Sequence, residues 1–115
     1  MEDRFLQQLK KGVLEMLVLQ LLCQKSAYGY GLMAELKEQS QGLFVLKEGT
    51  LYPILYRLED DGMIESAWSQ GEGKLAPKKL YTATGKGRQE AASRWQLWEK
   101  FVGAVDEFKP EVEES

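Results

Sequence analysis

Side chains that donate hydrogen bonds, stack or carry positive charge are concentrated on one face of the segment between Gly49 and Gly62. They are Thr50, Tyr52, Pro53, Tyr56 and Arg57. The apolar residues of the same segment recur at i, i+3, i+4 and i+7, the spacing of one helical face: Leu51, Ile54, Leu55 and Leu58. A helix that only packs on a core has little use for two exposed tyrosines and an arginine. A helix that enters a DNA groove uses such groups to contact bases and phosphates.

The limits of this helix are predicted from residues with known positional preferences. We predict Thr50 as the N-cap, Pro53 within the first turn and Gly62 just beyond the last residue. The same pattern has a simpler explanation, in which the polar face is only solvated and Arg57 pairs with a carboxylate. The pattern alone leaves both interpretations open.

Catalytic chemistry is poorly supported by the residue types present. The chain has no histidine and a single cysteine, so the common nucleophilic triads and zinc sites have no residues to build them. The segments 71–73 and 85–87 are too short to be phosphate-binding loops. We therefore expect no enzymatic activity, no metal and no cofactor, and we interpret Cys23 as a buried structural thiol.

Length and charge restrict the class of protein further. A chain of 115 residues has room for one domain with a modest core. Its 15 basic and 18 acidic residues give a net charge of −3, so a nucleic-acid surface must be a local patch. The single cysteine, the absence of a long apolar run and the lack of a signal-like start predict a cytoplasmic protein without membrane contact.

The order of predicted elements around residues 50–62 supports a winged helix-turn-helix. Residues 4–24 form an apolar first helix, residues 30–41 a second helix that ends at Gly42, and residues 44–46 a short β-type run. Residues 63–68 and 78–82 then form a hairpin around a glycine-rich loop. A hairpin that follows the second helix of such a pair is a wing.

Local positive charge is predicted on this wing. It comes from Lys74, Lys78 and Lys79, with only Glu72 opposing them. Phosphate contact is the preferred interpretation because neutralising the backbone is the main source of affinity for DNA, although wings also carry lysines for solubility. Tyr28 is a further candidate for DNA contact, and Lys10, Lys11 and Lys47 are weaker candidates for phosphate contact.

The last predicted helix, residues 85–108 with Thr84 as N-cap, has an apolar face that spans heptad positions a, d, e and g. Such a face is too wide for one contact with a small domain. We expect one seam to pack on the first helix and the other on a second copy of the chain. The predicted interface residues are Trp95, Trp98, Phe101, Val102, Val105, Phe5 and Leu9.

Several stretches resemble motifs of PadR-type transcriptional regulators. The signature helix of the family is matched by residues 49–53, 57–59 and 62–64. Residues 28–30 match its aromatic–glycine–tyrosine turn, and residues 79–84 with Gly87 match its wing strand and the entry to its last helix. The match covers roughly residues 8–105. Two residues depart from the family pattern. Leu80 stands where the family frequently has an aromatic or basic residue, and Ala83 stands where it usually has a leucine.

The resemblance implies a homodimeric repressor of a palindromic promoter site, with double-stranded DNA and a second copy as partners. A single C-terminal helix points to the short, LmrR-like subfamily, in which a tryptophan of that helix stacks on flat, hydrophobic drugs. Trp98 occupies the matching position. A multidrug or phenolic stress response is the implied setting, with a small aromatic effector.

The sequence thus predicts a mainly α fold with a small β-hairpin (α+β). Residues 1–83 form the winged helix-turn-helix, residues 84–108 the dimerisation helix and residues 109–115 a frayed acidic tail. The alternative from another class is a winged-helix module for protein–protein interaction without specific DNA binding, in which Tyr52 and Tyr56 anchor the partner.

Overall fold

The computed structural model describes residues 3–69 and 76–111. In chain order, these residues form α1 (Arg4–Gln24), β1 (Ala27–Tyr28), α2 (Gly29–Gln39), α3 (Glu48–Asp60), β2 (Ile64–Trp68), β3 (Lys79–Ala83) and α4 (Gly85–Asp106). The predicted α+β class, with a winged helix-turn-helix followed by one long helix, is confirmed. Within the described residues no helix is long and apolar enough to cross a membrane.

Helix α1 begins where the Asp3 carboxylate accepts hydrogen bonds from the backbone N–H groups of Phe5 and Leu6. Its second half is enclosed by its neighbours, as the all-round apolar pattern predicts, with Val18 and Leu19 fully buried. The first half is open, and Phe5 is 67% exposed. The core of the domain therefore lies around the C-terminal half of this helix.

Helix α2 ends at Gln39, two residues earlier than predicted, because Gln41 and Gly42 both take left-handed backbone angles (φ 55° and 84°). The predicted β-type run 44–46 is wrong, since these residues form an irregular connection. Phe44 and Leu46 are half-buried and pack on the core cluster. Their apolar character therefore serves packing.

Helix α3 starts earlier than predicted. Lys47 is the capping residue, without a side-chain cap, and Thr50 lies inside the first turn, where its N–H donates to the Lys47 carbonyl at 3.0 Å. The Thr50 N-cap is thus wrong, and Pro53 falls in the second turn. The end is as predicted, since Gly62 has a φ of 74° just after the capping residue Asp61.

The three strands form one antiparallel sheet in the order β1-β3-β2. The sequence gives no sign of β1, because its two residues lie among turn-forming residues, and only pairing with β3 makes them a strand. Ser26 and Thr82 reinforce this edge with a 2.8 Å contact between their hydroxyl oxygens. The wing is therefore attached to the start of α2 as well as to α3.

The junction of α3, the wing and α4 is closed by Thr84. Its hydroxyl accepts a hydrogen bond from the Gly87 N–H at 3.0 Å, as predicted for an N-cap, and donates to the Gly62 carbonyl at 2.7 Å. Lys86 Nζ donates to the Asp61 carbonyl at 2.7 Å. Helix α4 therefore starts at a fixed point at the end of α3, and it ends at Asp106, two residues before the predicted limit.

The protomer is elongated. Its radius of gyration is 16.9 Å, whereas a compact domain of this length has a value of about 13 Å. Helix α4 has 22 residues, a length of about 33 Å, and only Gly87 and Ala91 near its start are buried. Most of this helix is therefore not covered by its own protomer.

Candidate nucleic-acid interface

The predicted polar and apolar faces of α3 are both present. The apolar residues Leu51, Ile54, Leu55 and Leu58 are buried in the core. Thr50, Pro53, Tyr56 and Arg57 are exposed, while Tyr52 is half-buried. Among the described residues Arg57 has no carboxylate partner, so the ion pair of the simpler interpretation is not formed there. The exposed residues form a surface that can donate hydrogen bonds and that carries the positive charge of Arg57.

Tyr52 is held by the start of α2. A Cβ atom on Gly29 would lie 2.6 Å from the Tyr52 hydroxyl oxygen, so the tyrosine hydroxyl occupies the space that any other residue would fill. The ring also packs against the core cluster. Tyr52 therefore joins α3 to the tyrosine–glycine turn at 28–30 and presents only part of its surface to solvent.

Aromatic side chains of α3, the α2 start and the wing surround a shallow groove of about 420 Å³. Its lining includes Tyr28, Tyr30, Tyr52, Tyr56, Trp68, Lys78 and Lys79. The structure thus brings together predicted site residues from three elements. Tyr30 and Trp68, both largely exposed, were not among the predicted site residues. The repeated Tyr28–Gly29–Tyr30 pattern was a signal for the first, whereas Trp68 had none.

The two described wing lysines differ in environment. Lys78 is exposed, and its ammonium lies 6.0 Å from the centre of the Tyr28 ring. Lys79 is half-buried, and its Nζ lies 3.8 Å from Glu59 Oε1 on α3. Lys74, the third predicted lysine, lies outside the described residues. The weaker candidates Lys47 and Lys11 are exposed.

Lys10, the remaining weak candidate, is half-buried with its ammonium 5.7 Å from the centre of the Phe44 ring. The Lys10 side chain of α1 therefore lies beside the connection between α2 and α3, away from the groove next to the wing.

The buried residue beneath the groove is Tyr81. Burial raises the pKa of its hydroxyl above the usual value near 10, and the neighbouring Tyr52, Glu59 and Tyr56 raise this pKa further. The Tyr81 hydroxyl is therefore neutral around neutral pH. Its role is to support the floor of the groove.

Comparison with known proteins identifies the family of this chain. Residues 18–93 match the transcriptional regulator PadR-like family. The chain belongs to the PadR-like family. A solved transcriptional regulator from Clostridium thermocellum superposes with a TM-score of 0.81 at 27% identity, covering 90% of this chain and 99% of that chain. A PadR family transcriptional regulator from Eggerthella lenta gives 0.80 at 32% identity, with 90% and 88% covered.

A curated relative is the negative transcriptional regulator PadR of Bacillus subtilis, which is 33% identical over 78 residues. The match covers 68% of this chain but 42% of that protein, so the present chain corresponds to less than half of the relative's length. The PadR-like chain is therefore a DNA-binding transcriptional regulator with a winged helix, as the resemblance implies.

The second predicted surface of this PadR-like regulator lies on α4 and the start of α1. Phe5, Leu9, Phe101 and Val105 are all more than half exposed, while Val102 is half-buried. The ring centroids of Trp98 and Phe101 lie 6.2 Å apart with the planes tilted by 30°. Trp95 is partly exposed and lines a separate groove against α1 and α2. The face is apolar and open to solvent.

Cys23 lies near the end of α1 and is half-buried, which is less than the sequence predicts. Burial raises the pKa of its thiol, and the nearby Arg88 partly offsets this effect. Arg88 Nη1 also donates a 2.8 Å hydrogen bond to the Cys23 carbonyl. This hydrogen bond joins the end of α1 to α4 through the backbone of Cys23, and the structural role of the thiol stays a prediction.

Proposed function

We propose that this PadR-like regulator is a homodimeric repressor that binds a palindromic promoter operator and is released by a flat, hydrophobic molecule at the dimer interface. Helix α3 enters the major groove, the wing contacts the adjacent phosphate backbone, and α4 holds the two copies at half-site spacing. The assignment as a repressor is supported by the relative from Bacillus subtilis, which is named a negative regulator.

The observation that carries the DNA-binding part is the continuity of the surface. The exposed face of α3, with Thr50, Tyr56 and Arg57, meets the aromatic groove and the exposed Lys78 without an intervening acidic side chain among the groove's described lining residues. A donor-rich helix face suits base edges, and a neighbouring lysine suits phosphate. Because the net charge is −3, affinity must come from this local surface.

The dimeric part is supported by the exposed apolar face of α4 and the start of α1. Removing large aromatic groups such as Phe5 and Phe101 from water lowers the free energy, and exposed apolar surface of this kind marks interaction sites. The elongated protomer leaves this face uncovered. A second copy covers it symmetrically through the same residues.

The effector part is supported by the Trp98–Phe101 pair on that same face. Flat hydrophobic molecules stack on such rings. A ligand between two copies of α4 favours one separation of the two α3 helices over the separation that fits DNA. The free energy of DNA binding is then weakened by at most the difference in ligand-binding free energy between these two arrangements. Trp95 is a secondary candidate for the same contact.

The test is fluorescence anisotropy with labelled duplexes from the region upstream of the protein's own gene and a scrambled duplex of equal length. We expect tight binding to the first duplex only, with log K falling linearly with log salt concentration. Arg57→Gln is expected to lower specific affinity by about 1–3 kcal/mol, as for a base contact. Lys100→Gln, an exposed residue of α4, removes the same charge and serves as the control.

The competing function is a winged-helix module that binds a protein partner through its tyrosines. The acidic balance of the chain favours this alternative. Equal and weak binding to both duplexes at low salt, with the dimer present, would contradict the repressor proposal.

A further inference from the structure

Glu59, in the last turn of α3, contacts both strands of the wing. Its Oε2 accepts a hydrogen bond from Ser66 Oγ of β2 at 2.5 Å. Its Oε1 lies 3.8 Å from Lys79 Nζ of β3. One carboxylate of α3 therefore fixes the position of the hairpin that follows this helix. Neither Glu59 nor Ser66 is among the DNA-contact residues that the sequence predicts.

Strand pairing explains why these groups meet. Ser66 pairs with Tyr81, and Trp68 pairs with Lys79, so all four side chains belong to the same face of the sheet. Tyr81 is buried on this face against α3. The Lys79 side chain therefore points toward the end of α3, where Glu59 is located.

The Lys79 ammonium is enclosed on several sides. It lies 5.8 Å from the centre of the Trp68 ring and 5.9 Å from the centre of the Tyr81 ring, in addition to the Glu59 contact. The Lys79 and Glu59 side chains are 30% and 32% exposed. Reaching a phosphate requires Lys79 to leave a carboxylate and two aromatic faces. Lys78, next in the chain, is exposed and has no such constraint from the described carboxylates.

We propose that Glu59 is a positioning residue for DNA binding, which fixes the wing against α3 and withholds the Lys79 charge from the phosphate backbone. Lys78 is then a phosphate contact of the wing, and Lys79 is a structural cation. This inference rests on the proposed function, because it presupposes that the wing reaches DNA. Limiting the number of phosphate contacts lowers non-specific affinity, so it raises the ratio of operator to non-operator binding.

The test measures the slope of log K against log salt concentration for the wild type and Glu59→Gln. The amide can still accept the Ser66 hydrogen bond but loses the charge that holds Lys79. Each added phosphate contact steepens the slope by about 0.9, hence by about 1.8 for a dimer that uses both wings. We expect this change together with tighter binding to the scrambled duplex.

Three further variants assign the effect to Lys79. Glu65→Gln, on an exposed part of β2, removes the same charge and is the matched control, with no change of slope expected. Glu59→Gln combined with Lys79→Met is expected to restore the wild-type slope. Lys78→Met is expected to make the wild-type slope shallower by about 1.8. Thermal unfolding of each variant establishes that the fold is kept.

If Glu59→Gln does not fold, Lys79→Met alone gives the answer, because it should change the wild-type slope by less than half the effect of Lys78→Met. An unchanged slope in a folded Glu59→Gln, or equal effects of the two lysine variants, would overturn the proposal while leaving the DNA-binding function intact. If the wild type itself shows no salt-dependent binding to DNA, the proposed function fails, and the role of Glu59 fails with it.

Discussion

Gly87 lies where the first turn of α4 approaches the backbone that leaves α3. A Cβ atom at this position would lie 1.9 Å from the Met63 carbonyl oxygen. That carbonyl cannot move freely, because it accepts a hydrogen bond from the Thr84 N–H at 3.0 Å. We therefore expect Gly87→Ala to lower the free energy of unfolding by about 3 kcal/mol. Urea denaturation measured by circular dichroism gives this value.

Gly85→Ala is the matched control for this prediction. The same change two residues earlier meets no atom within 4 Å, so only the helix preference of alanine remains. We expect a change within about 1 kcal/mol. Equal losses in the two variants would show that the close approach at Gly87 is not what requires glycine there.

Tyr81 gives the molecule a dependence on alkaline pH. Its pKa is raised in the folded state by burial and by Tyr52, Glu59 and Tyr56, whereas the unfolded chain has the usual value near 10. A raised pKa contributes stability that is complete below about pH 10 and is lost as pH rises through the folded pKa. We expect Tyr81→Phe to reduce this loss. Thermal unfolding between pH 8 and 11 tests it, and parallel curves for the two proteins would contradict it.

The open face of α4 is expected to control assembly. Phe101 is 60% exposed in the protomer, so a change there leaves the protomer core intact. We expect Phe101→Glu to convert a dimer into the 13.1 kDa monomer, because it places a charge in the apolar interface. Light scattering after size-exclusion chromatography measures the mass.

Gln96→Glu is the control for assembly, since it adds the same negative charge at an exposed position of α4. It is expected to stay dimeric. A monomeric wild type, or a dimeric Phe101→Glu with unchanged stability, would place the interface elsewhere.

Effector binding is expected to need both copies of α4 in the dimer. We expect a planar cationic dye to quench the tryptophan fluorescence of the dimer in a saturable way, because aromatic faces attract cations. Trp98→Leu should abolish this quenching, whereas Trp68→Leu, on the wing, should retain it. Saturable quenching in a Trp98→Leu dimer that matches the wild type would disprove the role of Trp98.

Helix type and position were predictable wherever periodicity was strong. Helix α1 and the N-cap at Thr84 follow the prediction, since a long apolar period and a threonine before a helix are local signals. The start of α3 was predicted wrongly, because Lys47 at the capping position has no side-chain cap that sequence could signal. The connection before it is held by the packing of Phe44 and Leu46 on the core. Strand β1 depends wholly on a partner distant in sequence.

The candidate site was likewise predictable from the sequence only in part. The amphipathic period of α3 by itself identified Tyr56 and Arg57 as outward-facing residues, because a helix of fixed pitch exposes one face once the other is buried. Only the tertiary structure separated Lys78 from Lys79. These neighbours look alike in sequence, but strand alternation and the position of Glu59 expose one ammonium and enclose the other. Burial and charge pairing depend on distances between elements, which local sequence does not contain.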